Sequence, residues 1–319
     1  MRTPELLSDP VYHDEEAARL YLQEVRWPDG VYCPKCGTLD GIKPLGGESM
    51  GPGWFYCADC QDKFTIRVGS IFERSHIPLH KWLLAFRLMA SSKKGVSAHQ
   101  LHRTLGITYK SAWFLAHRIR EAMKPVDPPI LGGEGKTLEA DETYFGHVGS
   151  HEENAWVWVN GQGWVRRAGE EKMKVMTLVE RNGRARSIHV DRLTSAQAYE
   201  FLSKAADPAS ELNTDEAHHY GRVGRRFVKH ETVKHADKEY ARGSVTTNTV
   251  EGYFSIFKRG MIGVYQHCGE KHLHRYLAEF DFRYSNRKAL GVEDAERTER
   301  AIKGAAGKRL TYRRTRSAA

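Results

Sequence analysis

The spacing of apolar residues changes character along the chain. From His13 to Val25, Ala17, Leu20, Tyr21 and Val25 recur at helical intervals opposite a charged face, predicting an amphipathic helix that stops before Trp27-Pro28. Short runs at Trp54-Phe55-Tyr56 and Lys63 to Val68 predict strands, with Gly46-Gly47 and Gly51-Pro52-Gly53 marking a loop before them. From His80 the period is helical again, with Trp82, Leu83, Phe86 and Met89 on one face. A second helix is predicted from Ser97 to Leu105. After Gly106-Ile107-Thr108 comes a third, carrying Ala112, Trp113, Leu115, Ala116, Ile119 and Met123. Two helices across a short glycine-containing turn read as a helix-turn-helix, whose second helix would offer Tyr109, Lys110, Ser111, His117, Arg118 and Arg120 to phosphate oxygens or base edges. A helical hairpin that only bridges domains is the alternative.

Pro125-Val126-Asp127-Pro128-Pro129 breaks the helices and predicts a domain boundary. Strands are then expected at Thr137 to Gly146, Trp156 to Asn160, Lys174 to Glu180 and Arg186 to Val190. A helix from Ser195 to Ala206 and a strand ending at Asp215 follow. Hairpins followed by a helical crossover define an α/β domain. Val250, Phe254 and Phe257 predict one more short helix, with Asn248 as its cap and Gly260 closing it. The stripe Leu273, Tyr276, Leu277, Phe280, Tyr284 predicts a core helix from Lys271 to Arg287. After Glu299 seven basic residues and no acidic ones suggest a mobile, DNA-touching end. The expected organisation is a helical segment at 1–30, a ribbon at 31–72, a helix-turn-helix at 76–125, the α/β domain at 135–290 and a basic tail at 291–319.

Within this frame the carboxylates carry the candidate chemistry. Asp141 and Asp215 sit at the polar ends of predicted strands, and Glu251 lies on the helix that follows. Taken alone, Glu251 three residues after Asn248 resembles a capping box. Together, three acids repel unless divalent cations fill the space between them, and magnesium suits hard oxygen ligands that leave room for water and phosphate. Two such ions support in-line displacement at a phosphodiester. Lys258, nearly two turns beyond Glu251, leaves the same edge of the helix, while the adjoining Arg259 points away from it. Glu139 shares a strand face with Asp141 and Thr143, which makes it a conceivable ligand, although a solvated carboxylate is the plainer expectation. His218 and His219 read as substrate contacts or surface residues. The basic stretch Arg222 to Arg242 reads equally as a backbone track or a solvated loop.

Charge and cysteine usage sharpen the reading. A formal net charge of +9 and a pI near 9.2 favour a polyanionic partner. The pairs Cys33-x-x-Cys36 and Cys57-x-x-Cys60, about 20 residues apart, have zinc-ribbon spacing and would close a structural tetrahedral site. Cys268 stands apart as an ordinary thiol. With neither a secretory apolar core at the start nor a run long enough to span a bilayer, the expectation is a soluble intracellular protein without membrane association.

Several motifs in order carry a resemblance. They are Arg26-Trp27-Pro28-Asp29-Gly30 leading into Cys33-Pro34-Lys35-Cys36-Gly37, Gly69-Ser70-Ile71-Phe72-Glu73, Tyr109-Lys110-Ser111-Ala112-Trp113, Glu139-Ala140-Asp141-Glu142-Thr143, Asn248-Thr249-Val250-Glu251-Gly252 and His272 to Phe280. The chain resembles bacterial insertion-sequence transposases of the DDE superfamily, in the ISXO-like group with an N-terminal zinc ribbon. The resemblance implies a ribonuclease-H-like catalytic fold in which Asp141, Asp215 and Glu251 hold two magnesium ions, with manganese as a substitute, and Lys258 contacts DNA beside them. It also implies transposon-end and target DNA as partners, a homo-oligomer on DNA, and a cytoplasmic, nucleoid-associated protein. Tyr109, Lys110, Arg118, Arg120, Lys258 and Arg259 are the expected DNA contacts. His147 and Ser285 depart from the group's pattern, where a glycine and an asparagine are common. The competing expectations are a non-enzymatic DNA-binding regulator and a nuclease that cuts without joining.

Overall fold

The computed structural model describes residues 8–47, 50–146, 156–161, 163–166, 172–234, 237 and 241–311. The chain divides into two compact units, one made of 1–92, 96–125 and 293–319, the other of 93–95 and 126–292. His147, parts of the basic stretch 222–242, and Arg313, Arg314 and Arg316 lie outside the described residues.

In chain order the first unit begins with α1 (Glu15–Arg26), β1 (Ile42–Leu45), β2 (Trp54–Cys57) and β3 (Asp62–Thr65), followed by α2 (Leu79–Ser91), α3 (Ala98–Leu105) and α4 (Tyr109–Met123). Asp14 caps α1 by accepting the Ala17 N–H at 2.7 Å. The three strands form an antiparallel sheet in sequence order. Trp27 packs edge-on against Phe55 and Phe64, whose rings stack at 5.6 Å. Ser97 caps α3, and Gly106 ends it at φ +60°, a left-handed conformation that glycine adopts without strain. Thr108 then caps α4 through the Ser111 N–H.

The second unit contains β4 (Thr137–Phe145), β5 (Trp156–Val159), β6 (Gly163–Arg166), β7 (Met173–Glu180), β8 (Ala185–Val190), α5 (Ser195–Ala205), β9 (Glu211–Asp215), α6 (Gly221–Gly224), β10 (Lys229–Val233), β11 (Ala241–Arg242), β12 (Val245–Thr246), α7 (Asn248–Gly260) and α8 (Glu270–Ser285). The central sheet runs β10-β9-β4-β7-β8. Its β4-β7-β8 meander is antiparallel, while β9 and β10, reached through α5, join parallel to β4. This mixed sheet has the ribonuclease-H-like arrangement that the resemblance implies. Strand alternation sends Leu138, Ala140, Met176 and Leu178 to the α5 side, and Phe145, Val175 and Val179 to the face covered by α7 and α8. Phe257 is fully buried edge-to-face between Phe145 and Phe280, at 5.6 and 5.2 Å.

Three expectations are corrected. Thr247, not Asn248, stands at the N-cap position of α7, and Asn248 is its first helical residue. Gly260 does not stop that helix, because a further turn, Met261–Tyr265, continues it. A Cβ at Gly260 would lie 2.5 Å from both the Lys94 carbonyl oxygen and the Phe280 ring, so the glycine permits close approach. The start of the expected mobile tail is ordered as α9 (Asp294–Lys303), with Ala301, Ile302 and Ala305 buried in the first unit. Ile71 N–H donates to Ala305 O and Gly307 N–H to Gly69 O, closing a backbone bridge there.

Candidate active site

Asp141 and Asp215 come from adjacent parallel strands. The last register pair between β4 and β9 is Ala140 with Thr214, so the two aspartates follow side by side. Both face α7, whose first turn carries Glu251. Ala217 N–H donates to Asp215 Oδ1 at 3.0 Å in a turn that follows β9, and within β4 the Glu142 N–H donates to Asp141 Oδ1 at 2.7 Å, so a nearby backbone N–H holds each carboxylate. The Thr247 hydroxyl donates to Glu251 Oε1 at 3.3 Å, in place of the reciprocal capping box expected from Asn248.

Oxygens of Asp141, Glu142 and Asp215 lie within 4.8 Å of one another. Glu251 is not in that group, but its charge reaches Asp141. Burial first, then the charges of Glu142, Asp215 and Glu251, push the Asp141 carboxyl up to about 8 against the pull of the Glu142 N–H. Such a cluster relaxes by taking up protons or cations, and its all-oxygen donor set fits a hard divalent ion.

Glu142 is the member that no sequence motif singles out. It faces away from Asp141, toward the α5 side, where Glu142 Oε2 accepts from the Tyr220 hydroxyl at 2.9 Å and pairs with His219 Nε2 at 3.0 Å. His219, expected to contact substrate or lie on the surface, is buried and packs on Tyr220 at 4.2 Å. Glu139 is likewise not solvated. Its side chain is fully buried, paired with Arg181 at 2.6 Å, and bonded to the start of α7.

Lys258 and Arg259 are exposed near the end of α7. The unbroken helix puts Lys258 on the Glu251 edge, about 10 Å further along, while the Arg259 Nε bonds back to Ser255 O at 3.0 Å. Within the basic stretch, Arg222 and Arg226 stack on Tyr199 and Arg242 pairs with Glu231, so these three are held by packing and ion pairing.

In the first unit, Tyr109 and Lys110 are exposed at the start of α4, with Tyr109 stacked on exposed His99 at 4.3 Å. Arg118 and Arg120, expected beside them on a DNA face, are turned inward and buried. Arg118 donates to the carbonyls of Ile71, Glu73 and Leu310 and lies over the Phe114 ring. It knits the first unit together.

The four ribbon thiols also lie within 4.8 Å of one another, with Cys33 Sγ 3.8 Å from Cys60 Sγ and Cys36 Sγ 3.7 Å from Cys57 Sγ. A zinc ion with bonds of about 2.3 Å in a regular tetrahedron separates its sulfurs by roughly 3.8 Å, so the cysteines fit structural zinc and leave no position for a reacting water.

The sheet gathers acids from two neighbouring strands beside a helix-borne glutamate, and a four-cysteine ribbon precedes it in the sequence. Residues 130–285 match the ISXO2-like transposase domain family and residues 13–63 the transposase zinc-ribbon domain family, so the chain carries a transposase domain preceded by a transposase zinc ribbon. It is 27% identical over 278 residues to an uncharacterized protein in transposable element ISH50 of Halobacterium salinarum, covering 84% of this chain and 90% of that one. Among solved structures, the simian T-cell lymphotropic virus intasome in complex with PP2A regulatory subunit B56 gamma is matched at 15% identity and a TM-score of 0.29. That match covers 57% of this chain and 63% of the other, less than two thirds of its length. Among the described residues no helix is long and apolar enough to cross a membrane.

Proposed function

We propose that this protein cuts DNA at the ends of an insertion sequence and joins the freed 3′ ends to target DNA. The observation that carries the reading is the closeness of Asp141, midway along β4, to Asp215, at the end of β9, in a match to the ISXO2-like transposase domain family, with Glu251 on the helix that covers this face. In the first step water attacks a phosphodiester and the element's 3′ oxygen leaves as a hydroxyl. In the second, that oxygen bonds to a target phosphorus, its proton is released, and the target's own 3′ oxygen departs.

Asp141, Asp215 and Glu251 would hold two magnesium ions, with manganese as a substitute, and Glu142 flanks the aspartates. Bound there, the ions supply charge neutralisation at the attacking and departing oxygens. The carboxylates contribute fixed positions, since phosphoryl transfer depends on alignment more than on covalent help. Lys258 presents a point charge further along α7, where it suits a phosphate of the strand being cut. Arg259 is a weaker candidate for the same path. Tyr109 and Lys110 are the proposed end-binding contacts in the first unit, and the active form is a homo-oligomer assembled on DNA.

The test is incubation of purified zinc-loaded protein with labelled element ends, a target plasmid and Mg²⁺, scoring cut and joined products separately. Joined products that require Mg²⁺ support the reading. Cut ends without joining would reduce the protein to a nuclease, and binding with neither product would leave a DNA-binding regulator.

A further inference from the structure

We infer that Glu139 and Asn213 form a positioning clamp that sets Glu251 against the two aspartates, an inference that rests on reading those three acids as the metal-holding site. Glu139 and Asn213 are register partners across β4 and β9, and each precedes an active-site aspartate by two residues. Strand alternation therefore points both toward α7, one step along from Asp141 and Asp215. Both reach the start of that helix. Glu139 Oε2 accepts the Thr249 and Val250 N–H groups at 2.7 and 3.1 Å, and Glu139 Oε1 accepts the Thr249 hydroxyl at 2.9 Å. Asn213 Nδ2 donates to Thr246 O at 3.4 Å. Arg181 ties the two arms together, its Nε on Glu139 Oε1 at 2.6 Å and a second guanidinium nitrogen on Thr246 O at 3.1 Å.

A helix N-terminus must satisfy its first N–H groups, and an adjacent side chain usually does so. Here Thr247 makes no side-chain cap bond, and the carboxylate comes from a strand more than a hundred residues earlier. A local cap would fix only where the helix begins. A cap supplied by β4 fixes where that start lies relative to Asp141, one turn before Glu251. Because Glu139 is fully buried, water cannot replace these bonds without opening the sheet–helix contact. The clamp converts strand register into the spacing of three ligands drawn from β4, β9 and α7.

The experiment uses the zinc-loaded full chain and measures Mn²⁺ binding at the acidic site by titration calorimetry, together with the Mg²⁺ concentration that half-saturates end cleavage. Glu139→Gln turns one acceptor into a donor facing the helix N–H groups, whereas Thr249→Val removes one hydroxyl and keeps the shape. Well below each variant's melting temperature, Glu139→Gln should bind Mn²⁺ about tenfold more weakly than wild type and Thr249→Val about threefold more weakly. The half-saturating Mg²⁺ should rise by similar factors, and excess metal should restore part of the rate. A purely structural role would lower the melting temperature without moving either metal midpoint, and that result overturns the clamp. Should Glu139→Gln fail to fold, the Thr249→Val shift decides alone, and wild-type Mn²⁺ affinity in that variant counts against the inference. A wild-type chain that takes up no Mn²⁺ would overturn the reading of the acidic site itself, and the clamp with it.

Discussion

The hydroxyl of Tyr220 donates to Glu142 Oε2 at 2.9 Å, tying the turn after Asp215 to the strand that carries Asp141. Tyr220 is almost wholly buried, so its loss cannot be repaired by solvent. Tyr220→Phe keeps the ring and removes the bond to a carboxylate. It should cost about 2 kcal/mol of unfolding free energy, read from the denaturant midpoint. An unchanged midpoint would mean that His219 alone holds Glu142.

Arg118 and Tyr109 offer a contrast within the first unit. Arg118→Ala leaves the Ile71, Glu73 and Leu310 carbonyls without their donor and should destabilise the first unit by about 3 kcal/mol. Tyr109→Ala, at an exposed site, should change stability by less than about 0.5 kcal/mol while weakening binding to element-end DNA. Thermal melts and DNA titrations on the two variants separate these effects. Equal loss of stability in both would contradict the inward placement of Arg118.

How far the sequence could be read depends on the range of the interaction. The placement of Asp141 and Asp215 on strands and of Glu251 on a helix was legible because strand and helix periodicity are local, and so was the grouping of the four cysteines. Arg118 and Arg120 were misread because periodicity finds an apolar stripe but does not say that a guanidinium inside it meets carbonyls from the segment 71–73 and Leu310. The basic residues after Glu299 hid the stripe of Ala301, Ile302 and Ala305 that docks α9. Glu142, His219 and Tyr220 meet only when two strands pair, and nothing near them in sequence signals it. Glu139 had a usable signal. It shares Asp141's face, and a strand face covered by a helix has no room for a solvated carboxylate.

Asp281 supplies a pH test independent of the acidic cluster. Burial pushes its carboxyl up to about 6, although bonds from the Tyr253 hydroxyl and from Ser187 pull it down. A folded-state value above the unfolded one means a contribution fully present below about pH 4 and lost as pH rises through 6. Between pH 7 and pH 5 Asp281 should therefore add roughly 1 kcal/mol to stability. The stability difference between wild type and Asp281→Asn, followed by urea unfolding across that range, should move toward wild type on acidification by this amount. A flat difference would contradict the raised value.

Removing zinc should act on one unit only. Cys57→Ser deletes a ligand from a site whose binding free energy doubles as folding free energy. The expected outcome is loss of the single tightly held zinc and of amide protection across 13–63, with protection in β4, β7 and β9 retained. Full protection of the ribbon in a zinc-free chain would show that the thiols are not its staple.

If Asp141, Asp215 and Glu251 act together on a phosphodiester, Asp215→Asn should abolish the chemistry and spare DNA binding. Asparagine keeps the size of the side chain and an oxygen able to accept the Ala217 N–H, while removing the charge. Labelled element ends are incubated with wild type and variant at equal, saturating protein and in Mg²⁺. The variant should bind the ends with wild-type affinity and form neither cut nor joined product above the metal-free background. Mg²⁺-dependent cutting and joining by Asp215→Asn at a rate near wild type would contradict this joint action of the three acids.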